Sequence, residues 1–344
     1  MIQSLFGYPP VLARTKIITL TLRSLRRVLA IFGLKMKNKK FNSQMIKIGG
    51  GLLAGVLLPG VAFGCACGCG VFDVGTSSMF PLDEGGTAFV NYDYQNQKNN
   101  WSGTSAASAA NNDDKKIETS FITPGVQYMF NRSWGAQVEI PVVNRTFDSA
   151  GNPGPVNWTG LGDIRLEGIY TGFSEDLSSG LIFGVKLPTG SYTHDSNEVD
   201  RDTQIGSGST DVLLGGFHRD RFGASHFNWF AQAQLDVPTL IQGDYRPGIE
   251  GDAATGIYYD GWSIDRLKIS PLAQVIGSWR GQDNGAAAAP DDSGYQRILL
   301  SPGIEFHLHP VKFYADVELP VYQNMKGNQL VAPALFKLGL SYMF

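Results

Sequence analysis

The sequence predicts an all-β chain: a transmembrane antiparallel up-and-down β-barrel of about 12 strands, preceded by a short N-terminal plug. Three observations lead there. Apolar residues alternate with charged ones in segment after segment, the connections alternate between long and short, and an aromatic residue closes a strand-like stretch at position 344.

The alternation is plainest in residues 332–344, APALFKLGLSYMF, where Ala332, Ala334, Phe336, Leu338, Leu340, Tyr342 and Phe344 interleave with Lys337, Gly339 and Ser341. A period of two gives a strand one apolar face and one polar face. The pattern recurs in TAFVNYDY (87–94), WGAQVEIPVV (134–143), GDIRLEGIY (162–170), GLIFGVKLP (180–188) and NWFAQAQLDVP (228–238). A soluble sandwich would alternate too, so the connections decide. Stretches 97–115, 146–159, 191–208 and 280–294 read as long loops, whereas 131–133, 173–179, 219–225 and 307–311 read as short turns. Long loops at one end, turns at the other and an even strand count are the plan of an outer-membrane barrel, whose closure leaves no open edge in hydrocarbon. Pro141, Pro188, Pro238 and Pro320 are expected near strand ends at the long-loop side. Tyr92, Tyr94, Tyr128, Trp134, Tyr170, Trp229, Tyr342 and Phe344 are expected in interfacial girdles.

Upstream, residues 1–64 carry ten Lys and Arg and no Asp or Glu. Residues 36–64 have the basic, apolar and small-residue regions of a signal peptide cleaved after Gly64, which leaves 1–35 as an extension from an early start. Residues 65–85 then form a Cys-containing plug segment and 86–344 the barrel. The whole chain has 28 Lys+Arg against 31 Asp+Glu; without 1–64, 18 remain against 31, a net charge of −13. An acidic chain lacks the clustered cations that nucleic-acid binding needs, so no nucleic-acid partner is expected.

The stretches TPGVQYMF (123–130), EIPVVNR (139–145), GLGDIRLEGIY (160–170), VKLPTGSY (185–192), GSGSTDVLLGG (206–216) and VELPVYQN (317–324) resemble the Gram-negative outer-membrane transporters of the phenol meta-degradation pathway type, related in plan to the long-chain fatty-acid transporters. The resemblance spans residues 85–344. It implies passage of small, often hydrophobic or aromatic molecules. Tyr342, Met343 and Phe344 match the terminal signature such barrels present to their assembly machinery. Membrane lipid, lipopolysaccharide, that machinery and a small-molecule solute are the partners implied.

Asp93, Glu139, Asp163, Glu167, Asp236, Glu305, Asp316 and Glu318 share the polar parity with Arg145, Arg165 and Lys186. Opposed acidic and basic ladders across a narrow lumen would sort solutes by charge and dipole. The other reading is that these residues pair and simply fill a small barrel. Acidic residues of the long loops, such as Asp113, Glu198, Asp200 and Asp202, read as a solvated surface bridged to lipopolysaccharide by divalent ions.

All three cysteines, Cys65, Cys67 and Cys69, sit directly after the expected cleavage site. An odd number at i, i+2 spacing cannot all pair with one another. Lipidation of Cys65, soft-metal binding with Cu(I) or Zn²⁺, and thiols free or paired to another protein stay open. HExxH, GxSxG and phosphate-loop motifs are absent. No enzyme is expected, although THDS (193–196) supplies residue types a hydrolase would use. A structural or adhesive barrel without transport is the remaining alternative.

Overall fold

The computed structural model describes residues 72, 74, 75, 80, 81, 83–195 and 198–344. The expected signal peptide, the three cysteines and Ser196 lie outside them. No helix among the described residues is long and apolar enough to cross a membrane; crossing falls to strands.

Twelve antiparallel strands close into a barrel. They are β1 (Gly85–Gln97), β2 (Asp114–Met129), β3 (Trp134–Glu139 continued by Val142–Ser149), β4 (Val156–Leu161 continued by Ile164–Tyr170), β5 (Ser179–Leu187) and β6 (Ser209–Arg221). The second half comprises β7 (Phe227–Ile241), β8 (Glu250–Tyr259 continued by Trp262–Ile264), β9 (Leu267–Arg280), β10 (Tyr295–Leu308), β11 (Val311–Val331) and β12 (Leu335–Met343). Each pairs with its sequence neighbours, and β1 pairs with β2 on one side and β12 on the other. The closing seam brings Asp93 opposite Lys337. Gly86 N donates to Phe344 O and Phe344 N to Gly86 O, both at 2.8 Å.

The period of two becomes an outside and an inside. On β12, Phe336, Leu338, Leu340 and Tyr342 are exposed, while Lys337 and Ser341 are buried. Val90, Ile122, Leu166, Phe183, Leu214, Val275 and Leu300 form the same outward belt. These residues face lipid, and the chain is an outer-membrane barrel. Exposed aromatics gather at the short-turn end, among them Tyr128, Phe130, Trp134, Phe173, Phe227, Trp262, Tyr342 and Phe344. Trp134 packs on Tyr170 with centroids 4.7 Å apart. Amphipathic rings settle at the headgroup level.

Two expectations change. The stretch 146–159 is mostly strand, with only 150–155 connecting β3 to β4, and 332–334 is a tight connection at the long-loop end. The long connections are 98–113, 188–208 and 281–294. Of the four prolines, only Pro188 follows a strand end. Pro141 separates the two pieces of β3, while Pro238 and Pro320 lie inside β7 and β11 beside register shifts at Thr210/Asp211 and Ile298/Leu299. Proline cannot donate to the ladder, so the strand breaks or bulges where it occurs.

The interior is not uniformly polar. Val74 and Phe80, ahead of β1, join inward-facing Met129, Ile169, Phe217, Phe230, Ile276 and Leu335 in one apolar cluster. Phe80 stacks on Phe217 at 4.7 Å. A second cluster at the long-loop end packs Val199 against Ile117, Phe147 and Trp158. Inward apolar side chains are covered by chain that enters the lumen from either end.

Candidate functional site: the lumen cavity

Between these two insertions lies a cavity of about 260 Å³. Phe72, Phe80 and Pro81 bound it on one side; residues of the 188–208 connection, including Arg201 and Gln204, and Tyr245 and Pro247 of the 242–249 connection bound it on the other. The wall comes from β1 to β9.

Strand pairing arranges the wall charges. Across β3 to β6, Glu139 faces Arg165, Arg165 faces Lys186, and Lys186 faces Asp211, a cross-strand ladder of two cations between two acids. Lys186 Nζ contacts Asp211 and also donates to Asp236 Oδ2 at 2.7 Å, with Arg165 Nη2 3.8 Å from the same oxygen. Beside this cluster, Gln137 Nε2 donates to Glu139 at 3.0 Å and Glu167 at 3.2 Å, while its carbonyl accepts from Gln127 at 2.9 Å. Arg280 pairs with Asp283 at 2.9 Å and lies 3.9 Å from Glu250.

Both boundaries are held by hydrogen bonds. Arg145, buried, donates through Nη1 to Thr203 O at 2.7 Å and Gln204 O at 3.0 Å, and through Nε to Thr119 at 3.0 Å. Asp163 accepts from Gly190 N and from the amide and hydroxyl of Ser207. The guanidinium of Arg201 lies over the rings of Tyr192 and Tyr245, 5.0 and 4.2 Å from their centroids. Enclosure of the connection pushes the Asp202 carboxyl up to about 8, with Asp200 and Asp283 adding to the rise and Arg280 opposing it. Asp200 is raised to about 6 by burial and by Asp113.

At the other boundary, Lys337 Nζ donates to Phe72 O, Tyr314 Oη donates to Gly75 O at 3.1 Å, and Arg219 donates to Pro81 O at 3.0 Å. Gly75 N donates to Gln232 at 3.2 Å.

Of the lumen residues expected from sequence, Asp93, Glu139, Asp163, Arg165, Glu167, Lys186 and Asp236 lie on the cavity wall. Arg145, Glu305, Asp316 and Glu318 lie off it. Arg145 anchors the 188–208 connection, and Asp316 accepts from Tyr314, Gln274 and Ser301 at 2.6 to 3.0 Å. Glu318 is wholly buried, and Glu305 faces Tyr314 nearer the short-turn end. Asp211, Glu250 and Gln137 are wall residues that the sequence reading did not single out, although their inward parity was visible. Arg201, Asp202, Phe72 and Phe80 arrive from irregular chain, where no periodicity marks them. His194, the hydrolase candidate, stacks on Trp158 at 5.0 Å. Its backbone N donates to Gln204 Oε1 at 2.8 Å. No group of three metal-ligating side chains occurs among the described residues.

No family model matches the sequence, and no curated protein matches it. Solved structures do. An outer-membrane channel of Pseudomonas putida F1 matches with a TM-score of 0.58 and 14% identity, over 79% of this chain and 100% of that one. The β domain of the Bordetella autotransporter BrkA matches with a TM-score of 0.50 and 13% identity, over 76% of this chain and 100% of that one. At such identities the likeness is one of fold, the twelve-stranded outer-membrane barrel.

Proposed function

We propose that the chain is an outer-membrane channel for small molecules, with an N-terminal segment that gates it. The observation that carries this reading is the cavity within the lumen, lined by both charged and apolar side chains and bounded by two irregular segments rather than by a solid core. A barrel built only to stand in the membrane could fill this space with packed side chains. The cavity wall holds eight acidic side chains, Asp93, Glu139, Asp163, Glu167, Asp202, Asp211, Asp236 and Glu250, of which Asp202 is held protonated at neutral pH, against four cations, Arg165, Lys186, Arg201 and Arg280. With a net −13 beyond residue 64, the field favours small cations and neutral solutes over anions.

Hydrophobic or aromatic compounds, implied by the resemblance to the phenol-pathway transporters, are the cargo class we favour, and the Pseudomonas relative in fold is itself described as a channel. Export directed by residues 36–64, recognition of the Tyr342 and Phe344 end by barrel-assembly machinery, and a soft metal on Cys65, Cys67 and Cys69 belong to the same proposal. Planar-bilayer recordings of the intact chain and of a form lacking residues 65–85 test it. The shortened form should conduct more, with a cation-selective reversal potential in a KCl gradient. Absence of conductance in both forms would instead favour a structural barrel.

A further inference from the structure

We infer that the cavity takes single-ring aromatic amines, with the ammonium group on the carboxylate wall and the ring seated partly on the N-terminal segment itself. This rests on the channel reading above and names its substrate class.

Three observations converge. The first is the balance of charge: each of the four wall cations is already engaged, Lys186 with Asp211 and Asp236, Arg165 with Asp236, Arg280 with Asp283, and Arg201 with Ser207 O and two tyrosine rings. A solute anion would have to displace one of these contacts while facing a wall with more acidic than basic side chains, whereas a cation meets that acidic wall directly. The second is a shortage of donors. Asp211 is fully buried on this wall, the Asp236 side chain is 13% exposed, and the Oδ1 atoms of both accept no hydrogen bond among the described residues. An ammonium brings three donors.

The third observation is the apolar side. Phe72 and Phe80 of the N-terminal segment face the same cavity as Phe121 and Phe217, with Phe72 5.9 Å from Phe121. Aromatic walls accept a ring and attract an adjacent cation. At about 260 Å³ the space is below the ~300–1,000 Å³ of sites for drug-sized ligands, a size suited to a single ring. Because two of the four phenylalanines belong to the segment that closes the lumen, the segment is part of the binding site as well as its barrier.

Calorimetric titration of the intact, detergent-purified chain with phenethylammonium, 2-phenylethanol and phenylacetate tests this. Phenethylammonium should bind about tenfold or more tighter than 2-phenylethanol, and phenylacetate weakest. The near-isosteric variant D236N, which leaves Lys186 paired with Asp211 and is checked for heat-modifiable migration as a folded barrel, should lose most of the ammonium advantage while still binding 2-phenylethanol. Phe80→Ala should weaken both. Phenylacetate binding as tightly as phenethylammonium, or an unchanged ammonium advantage in folded D236N, would overturn the inference. Neither result touches the channel reading, which stands or falls on KCl conductance.

Discussion

Lys337 Nζ donates hydrogen bonds to the carbonyl oxygens of Phe72 at 2.6 Å and Val74 at 3.2 Å, so the final strand of the barrel grips the segment that precedes its first strand. Lys337 is buried and Val74 has no exposure, while Phe72 is half-buried. Hydrogen bonds from a charged donor contribute about 1.5–3 kcal/mol each. Lys337→Met should therefore raise the open-to-closed ratio by about tenfold or more in single-channel records. Barrel closure should persist, because it depends on the strand ladder. Wild-type gating in a folded variant would show that the segment is held by its apolar contacts alone.

Arg145 performs the corresponding task at the opposite boundary, through Thr203 O and Gln204 O. Arg145→Met keeps much of the side-chain volume and removes the donors. Proteolytic cleavage within 188–208 should become markedly faster, with little change in the resistance of the strands. Equal cleavage rates would assign the fold of this connection to Asp163 and its partners.

The same connection should respond to pH. Burial in the docked connection holds the Asp202 carboxyl up at about 8, against an ordinary value of 3.8, so between these values the docked connection holds a proton that the released one does not. Its stabilising effect is complete below the ordinary value and is lost as pH rises through about 8. Hydrogen exchange in 198–208, corrected for intrinsic rates, should be more protected at about pH 5 than at about pH 9. Asp202→Asn should flatten this difference; a persisting difference would place the titration elsewhere.

Phe344 exchanges two hydrogen bonds with Gly86, and its ring lies against that glycine, where a Cβ would collide with it. Removing Phe344 should lower the amount of assembled, heat-modifiable barrel in the outer membrane and leave chain in the periplasm. Normal assembly of the shortened chain would rule out a role for the aromatic end.

Replacing Cys65, Cys67 and Cys69 by Ser should leave heat-modifiable migration unchanged, because closure is supplied by the twelve paired strands. If these thiolates hold Cu(I) or Zn²⁺, metal content measured after purification under reducing conditions should fall to background in the variant. Metal-free wild-type protein would leave them as thiols without a metal role.

Much of the barrel was legible because the period of two is a local property. Each strand buries one face in the lumen and exposes the other to lipid, so Lys337 between Phe336 and Leu338 already declared its side. The same parity selected Glu139, Arg165, Lys186 and Asp236, which share one cavity wall. Parity could not tell which inward residues face open space. Asp316 and Glu318 have the same inward direction as Asp236, yet they lie off the cavity wall, where Lys337 and Tyr314 hold the N-terminal segment.

Tertiary structure alone decided what enters the lumen. The 188–208 connection and the Phe72 to Pro81 segment have no repeating pattern, and their positions depend on partners far away in the chain: Arg145 for one, Lys337 and Arg219 for the other. The sequence by itself determined a barrel of alternating strands and an acidic chain beyond residue 64, because alternation and net charge are sums over local residues; the apolar clusters inside the lumen were not visible in it. The site's shape depends on where irregular chain stops, and that is set by side-chain hydrogen bonds and ring packing between residues far apart in sequence, 58 residues for Arg145 and Thr203 and 157 for Gly75 and Gln232.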